Sequence, residues 1–251
     1  MHPDKGLVLI TGGSRGIGAA TAVLAAERGH AVCISYLQNR AAADEVADRI
    51  RGAGGSALAV RADVASEEDV MRMFDAVDAS GHRLAGLVNN AGILERQMRV
   101  EDMDAARITR VLATNVTGSF ICAREAVRRM STRHGGRGGA IVNVSSMAAR
   151  LGSPNEYVDY AASKGAIDAM TVGLAREVAA EGIRVNAVRP GLIATDIHAS
   201  GGEPGRVERV KGSVPMRRGG EAIEVARAIL WLLSDEASYS TGTFIDVSGG
   251  R

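Results

Sequence analysis

Leu7-Val8-Leu9-Ile10-Thr11-Gly12-Gly13-Ser14-Arg15-Gly16-Ile17-Gly18 is the stretch that decides the fold. Four consecutive apolar residues read as a strand covered on both faces, and the glycine-rich run after them reads as a tight turn into a helix. At Gly12, Gly16 and Gly18 the missing side chains let the backbone turn sharply and bring a helix's free amides up to a pyrophosphate. The spacing is Gly-x-x-x-Gly-x-Gly rather than the more familiar Gly-x-Gly-x-x-Gly, but a strand precedes it and a helix follows it, as a nucleotide site requires.

Working outward, short β-branched runs recur between longer helical patterns: Leu7 to Ile10, Ala31 to Tyr36, Ala57 to Val60, Gly86 to Val88, Ala140 to Val144, Ile183 to Val188 and Thr243 to Val247. This alternation predicts parallel strands joined by crossover helices. Most runs are apolar at consecutive positions, so helices must cover both faces. The expected fold is α/β, a doubly wound Rossmann-type parallel sheet of about seven strands in a single domain over 1–251. Asn39 is placed to cap a helix starting at Arg40, and Ser66-Glu67-Glu68-Asp69 resembles a capping box for a helix ending near Ser80-Gly81. The stretch His134 to Gly139 reads as a loop, and Gly201 to Gly205 as a flexible insertion.

Bulk properties exclude several classes. Lys plus Arg is 30 against Asp plus Glu 29, a net charge of +1 that offers no field for a polyanion, and 3% aromatics leave few platforms for stacking bases, so nucleic acid is not expected. No apolar run approaches the ~20 residues that span a bilayer, and Met1 to Lys5 hold no apolar signal region, so a cytoplasmic protein without membrane partners is expected. Cys33 and Cys122, each inside an apolar segment, read as buried thiols. No metal site is expected.

The second chemical signal is Tyr160-Ala161-Ala162-Ser163-Lys164, because a helix stacks residues four apart on one face. A neighbouring cation favours phenolate and is expected to draw the phenol down from its usual ~10 towards working pH, making Tyr160 an acid or base. The ribose end of the site falls where the second strand ends, between Ser35 and Arg40. An acid there would bond a ribose 2′-hydroxyl and repel a 2′-phosphate; none is present, while Arg15 and Arg40 can pair with a phosphate. NADP is therefore expected, with NAD the lesser alternative.

Together these residues resemble the short-chain dehydrogenase/reductase family of about 250 residues, over nearly the whole chain. Further motifs agree: Asp63-Val64 after the third strand, Asn89-Asn90-Ala91-Gly92 after the fourth, Asn115 in Thr114-Asn115-Val116-Thr117-Gly118, Ser145-Ser146 after the fifth, Arg189-Pro190-Gly191 with Thr195 after the sixth, and Gly249-Gly250. The resemblance implies a tetrad of Asn115, Ser146, Tyr160 and Lys164 that moves hydride between a nicotinamide and a carbonyl carbon. Tyr160 would exchange the proton, Ser146 would bond the carbonyl oxygen, Lys164 would act on the phenol and the ribose, and Asn115 would steady a water feeding protons to Lys164. It also implies cofactor contacts from Gly12, Ser14, Arg15, Gly16, Ile17 and Gly18, and from Tyr36 and Arg40. Asp63 and Val64 would contact adenine, and Asn90, Ala91 and Gly92 its ribose and the sheet. Tyr160, Lys164, Pro190, Gly191, Ile193 and Thr195 would complete the cofactor set.

Some assignments stay open. Adjacent residues at a strand end point to opposite sides, so only one of Ser145 and Ser146 can face the carbonyl; Ser146 is taken, with Ser145 the alternative. Asp63 can equally be a local cap, Tyr157 reads as pocket wall, and His198 reads as a surface histidine. The segment from about 192 to 216 is expected to form a substrate lid. The expected reaction is carbonyl/secondary alcohol interconversion on a small molecule such as a sugar, polyol or ketone. The alternatives are a 3-oxoacyl-acyl-carrier-protein reductase, or a dinucleotide-binding sensor or scaffold without turnover. By resemblance, a homotetramer is built through the helices after Asn89 and Ser146 and through the last strand.

Overall fold

The computed structural model describes residues 5–251. The chain runs β1 (Leu7–Ile10), α1 (Gly16–Glu27), β2 (Ala31–Tyr36), α2 (Arg40–Gly52), β3 (Ala57–Arg61), α3 (Glu67–Ala79), β4 (Leu84–Asn89) and α4 (Ala105–Leu112). A π-helical turn at Ala113–Thr117 leads into α5 (Gly118–Met130), followed by β5 (Gly139–Val144), α6 (Ala148–Leu151), α7 (Val158–Val178) and β6 (Ile183–Pro190). The last part holds β7 (Ile193–Ala194), α8 (Ile197–Ser200), α9 (Arg206–Val210), β8 (Gly220–Glu221), α10 (Ala222–Leu233) and β9 (Phe244–Val247).

Seven strands form one parallel sheet in the order β3-β2-β1-β4-β5-β6-β9. The chain reverses its direction of winding between β1 and β4, which opens a crevice at the carboxyl ends of those strands, where ligands of such sheets sit. The short pair β7 and β8 is an addition that the sequence pattern did not reveal.

The first strand shows why consecutive apolar residues were needed. Leu7 and Leu9 join one core with Phe74 of α3, Cys122 and Met130 of α5, and Ile167 of α7. Val8 and Ile10, pointing the other way, join a second core with Ala22 and Ala25 of α1 and with Val225, Ile229 and Leu230 of α10. A strand between two helical layers has no wet face, so alternation disappears.

Local signals place the helix starts. The Asn39 side chain accepts from the Ala42 amide at 3.0 Å, and the Ser66 hydroxyl from the Asp69 amide at 3.3 Å. The Asp69 carboxylate does not close the reciprocal half of a capping box; it reaches back to the Asp63 amide at 2.9 Å, and this bond is the chief reason its pKa is lowered. Asp63 in turn accepts from the Ala65 amide at 2.9 Å, so its carboxylate does act as a local turn cap. Among the described residues no helix is long and apolar enough to cross a membrane.

Candidate active site

The glycine turn after β1 is held by hydrogen bonds from strands on either side of it. Ser35 of β2 accepts the Gly12 amide on its hydroxyl at 3.1 Å and the Gly13 amide on its carbonyl at 2.9 Å. The Asn90 amide group donates to the carbonyls of Thr11 at 2.8 Å and Gly12 at 2.9 Å. Asn90 thus stiffens the loop. Gly12 and Gly16 sit at φ +64° and +54°, where a side chain would be strained. At Gly18 space decides: a β-carbon would lie 2.4 Å from the Gly12 carbonyl oxygen and 2.6 Å from Asn90 Nδ2.

Helix α1 leaves this loop with an open positive end. Arg15 stands at its N-cap in extended conformation, no side chain caps the free amides, and no acid lies in the first turn. A helix start without a side-chain cap keeps its first amides free, and one left bare behind a glycine cradle suits an anion. A dinucleotide's pyrophosphate matches it in charge, and the residues present fit that group.

A cavity of about 390 Å³ lies beside this loop, and its wall includes Ile17, Asn90 and Gly92, then Ser146, Tyr160 and Lys164, with Pro190, Gly191, Ile193 and Thr195. These residues come from both sides of the winding reversal, and the sheet brings them together. A β-carbon on Gly16 would stand 3.3 Å from the Thr195 methyl, which closes the loop from above. Others of the expected cofactor set are not in the cavity wall. Ser14 and Arg15 are in the turn, Tyr36 ends β2, and Arg40 starts α2, where its guanidinium pairs with Asp44 at 3.3 Å while remaining 79% exposed. Asp63 and Val64 follow β3, and the Val64 side chain is buried in the core.

Tyr160 and Lys164 share a face of α7, one turn apart, with the ammonium 5.6 Å from the centre of the phenol ring. Lys164 is buried, and Nζ donates to the Val144 carbonyl at 2.7 Å, fixing the side chain against the end of β5. The two serines separate as a strand end requires. Ser145 turns inward and donates to Asp168 at 2.6 Å, whereas the Ser146 hydroxyl accepts the Ala148 amide at 3.1 Å and hydrogen-bonds the Tyr160 hydroxyl. The single hydroxyl hydrogen of Ser145 is thus given to Asp168.

The expected direction of the phenol shift is corrected here. Burial disfavours phenolate and pushes Tyr160 up to about 12, and the Ser146 hydrogen bond only opposes this. The same burial lowers Lys164 to about 8, with Asp168 pulling the other way. One cause, loss of water, disfavours both charged forms. At neutral pH Tyr160 therefore holds its proton, and Lys164 is still mostly charged.

Asn115 sits inside the π-helical turn between α4 and α5. Its Oδ1 accepts the Ile93 amide at 2.8 Å, and its Nδ2 donates to the Ile93 carbonyl at 3.1 Å and to Ser163 Oγ at 3.0 Å. The side chain therefore clamps the irregular segment following Gly92 to α7. A β-carbon on Gly92 would be 3.3 Å from Asn115 Oδ1, a tight contact, and 3.6 Å from Lys164 Nζ, an ordinary one.

Two residues differ from their sequence reading or extend it. His198, read as a surface histidine, is half-buried in the cavity wall, with Nε2 on the Ile193 carbonyl at 2.9 Å. Tyr157 is pocket wall as expected, with the Arg206 guanidinium 5.2 Å over its ring. The stretch Gly201–Gly205 is better anchored than a flexible insertion: Glu203 within it takes Gln97 at 2.5 Å and Arg206 at 3.1 Å. No sequence signal pointed to the partner of Asp159, Arg107 of α4, which lies 52 residues earlier.

A glycine-cradled open helix end beside a buried phenol, ammonium and hydroxyl defines a nicotinamide-dependent oxidoreductase, and the chain belongs to the short-chain dehydrogenase/reductase family. The family model described as enoyl-(acyl carrier protein) reductase matches residues 12–251. The chain is 63% identical to "Uncharacterized oxidoreductase YgfF" of Escherichia coli (strain K12), covering 98% of this chain and 99% of that one. It is 41% identical to cis-4-hydroxycyclohexanecarboxylate dehydrogenase of Sinomonas cyclohexanicum, covering 97% and 95%. Among solved structures, a Serratia marcescens short-chain dehydrogenase/reductase mutant superposes with a TM-score of 0.90 at 31% identity, covering 98% of both chains. This family uses NAD(P) as cofactor.

Proposed function

We propose that the protein is an NADP(H)-dependent reductase of a small ketone, sugar or polyol-derived carbonyl, working reversibly, with Tyr160 as its proton donor and acceptor. The observation that carries this reading is the convergence of Ser146, Tyr160 and Lys164 on one cavity that continues to Ile17 and Asn90 of the glycine loop. The bound nicotinamide would supply or accept the hydride. Tyr160, protonated near neutral pH, donates to the carbonyl oxygen as negative charge develops there, and Ser146 donates a second hydrogen bond to the same atom. Lys164, charged below its pKa of about 8, stabilises the phenolate left behind and has donors beyond its bond to Val144 for a ribose hydroxyl. Asn115 holds the Ile93 backbone and Ser163 in place around that lysine, and a water beside it would return protons.

The preference for NADP rests on the absence of an acid between Ser35 and Arg40 and on the exposed guanidiniums of Arg15 and Arg40. A 2′-phosphate would compete with Asp44 for Arg40, and an exposed pair of this kind is worth under ~1 kcal/mol. The segment 192–216 supports a lid role, since Leu192, Ile193, Thr195, His198 and Arg206 within it line the cavity. The reading includes a cytoplasmic homotetramer: Ile108 and Leu112 of α4 and Phe120 of α5 are large apolar side chains left exposed in one chain, which subunit packing would cover.

Loss of absorbance at 340 nm with NADPH and a panel of small carbonyls tests the reaction. Tyr160→Phe should lower turnover by at least a thousandfold while NADPH affinity is kept, and an active Tyr160→Phe enzyme overturns the assignment. Equal Michaelis constants for NADH and NADPH, unmoved by Arg15→Ala and Arg40→Ala, would overturn the cofactor preference. Light scattering reads the subunit number.

A further inference from the structure

Two side chains in the cavity wall that carries Tyr160 hold buried polar atoms that the proposed proton transfer does not use. Tyr157 is only 3% exposed, and its hydroxyl has no hydrogen-bond partner among the described residues; the same holds for Nδ1 of His198. Both side chains line the cavity together with Ser146 and Tyr160. They belong to one wall. A β-carbon on Gly201 would lie 3.2 Å from the Tyr157 hydroxyl, and Gly201 closes the turn of α8 that carries His198, its amide bonding to the Ile197 carbonyl at 3.0 Å. A buried polar atom left without a partner costs ~1–3 kcal/mol, and for these two, whose side chains line the cavity, a ligand held there would remove that cost.

The chemistry of the two atoms says what that ligand offers. A carbonyl only accepts, so His198 Nε2, 2.9 Å from the Ile193 carbonyl, carries the ring hydrogen. In the neutral ring Nδ1 is then a lone-pair acceptor, and burial, the first cause of its lowered pKa, keeps the ring neutral near pH 7. Tyr157 can both give and take a hydrogen bond. An alcohol satisfies both atoms. A carboxylate or phosphate has no hydrogen to give to Nδ1. Nor is the nearest cation free for an anion, because Arg206, stacked on Tyr157, is held by Glu156 at 3.1 Å and Glu203 at 3.1 Å. Arg251 also borders the cavity and is exposed, so a carboxylated substrate belongs in the test.

We propose that the substrate of this enzyme carries hydroxyl groups in addition to its reacting carbonyl, recognised by Tyr157 Oη and His198 Nδ1, so that the reaction links hydroxyketones with diols or polyols. This rests on the carbonyl-reductase reading and narrows its substrate class.

The test compares kcat/KM with NADPH for cyclohexanone and for its 2-, 3- and 4-hydroxy derivatives. At least one hydroxyketone should be preferred tenfold or more, because a site built to bond a hydroxyl rejects an analogue lacking it. In Tyr157→Phe and in His198→Leu that ratio should fall below about threefold. Near-equal values for all four ketones, a ratio unmoved in both variants, or a preference for 4-oxocyclohexanecarboxylate overturns the proposal. Calorimetric titration of cyclohexanediols against cyclohexanol separates the two layers of the argument. Diol binding that is weakened in Tyr157→Phe upholds the hydroxyl site even where no carbonyl is reduced, in which case only the reaction assignment fails; no selective diol binding in an active enzyme sinks the hydroxyl site alone. If neither reduction nor diol binding is seen, both fail.

Discussion

Arg107 and Asp159 meet at 2.7 Å with side chains only 5% and 3% exposed, and the same carboxylate accepts the amide of Tyr160 at 2.9 Å. Arg107 also donates to the Arg96 carbonyl at 2.7 Å. One ion pair thus joins α4, the segment after β4 and the first turn of α7, directly beside the proposed proton donor. Removing one partner leaves a buried charge unpaired, and the expected cost for Asp159→Ala or Arg107→Ala is about 3–5 kcal/mol in denaturant unfolding. The double replacement Arg107→Met/Asp159→Leu should recover most of that loss, since no charge is left stranded. Additive losses in the double variant would show that the pair is not coupled.

Lys164 should cost the fold stability that it returns as activity. Its pKa falls from 10.5 to about 8 on folding, so between those values the unfolded chain binds a proton that the native one does not, and stability rises with pH across that window. At pH 7 the penalty is about 3 kcal/mol, more than the roughly 1 kcal/mol of its hydrogen bond to Val144. Lys164→Met should therefore melt higher than the wild type at pH 7, by a margin that narrows towards pH 10.5, while turnover collapses. Tyr160, raised from 10.0 to about 12, acts oppositely: the native state binds the extra proton, so its contribution is lost as pH rises through that range.

The same lysine sets a pH limit on catalysis. Reduction requires Tyr160 protonated and Lys164 charged, and only the second condition fails below pH 10. The reductive kcat should decline above pH 8 along a single ionisation, measured at saturating NADPH. A profile flat to pH 10 would count against a role for the ammonium charge.

Gly18→Ala should damage cofactor binding more than a methyl group normally does. Its β-carbon would press on the Gly12 carbonyl oxygen at 2.4 Å, and backbone cannot swing aside as a flexible side chain can. Fluorescence titration should show NADPH affinity reduced by at least tenfold, with the melting temperature lowered as well. Unchanged affinity would mean that the turn is not the phosphate seat.

Cys33 and Cys122 should be silent in the native protein. Both are fully buried, and desolvation pushes each thiol up to about 12, so almost no thiolate is present at pH 8. A chromogenic disulfide reagent should label neither until denaturant is added, and both afterwards. Rapid native labelling would show that one of the helical layers opens.

Much of the architecture was legible before any coordinates. Val8 and Ile10 on one face and Leu7 and Leu9 on the other demanded two helical layers, because each side chain needs an apolar partner whatever the details. The glycine turn, the caps at Asn39 and Ser66, and the four-residue spacing of Tyr160 and Lys164 are local properties, set by chemistry within a few residues. The sequence by itself therefore determined the sheet, the family and the meeting of Ser146, Tyr160 and Lys164 in one cavity wall. Only the tertiary structure decided how those groups behave. Desolvation depends on every neighbour at once, so it could turn the expected downward shift of Tyr160 into an upward one. The Arg107–Asp159 pair, the clamp of Asn115 on Ile93, and the unpartnered atoms of Tyr157 and His198 each depend on segments that are distant in the chain and adjacent only after folding, a relation that no local spacing encodes.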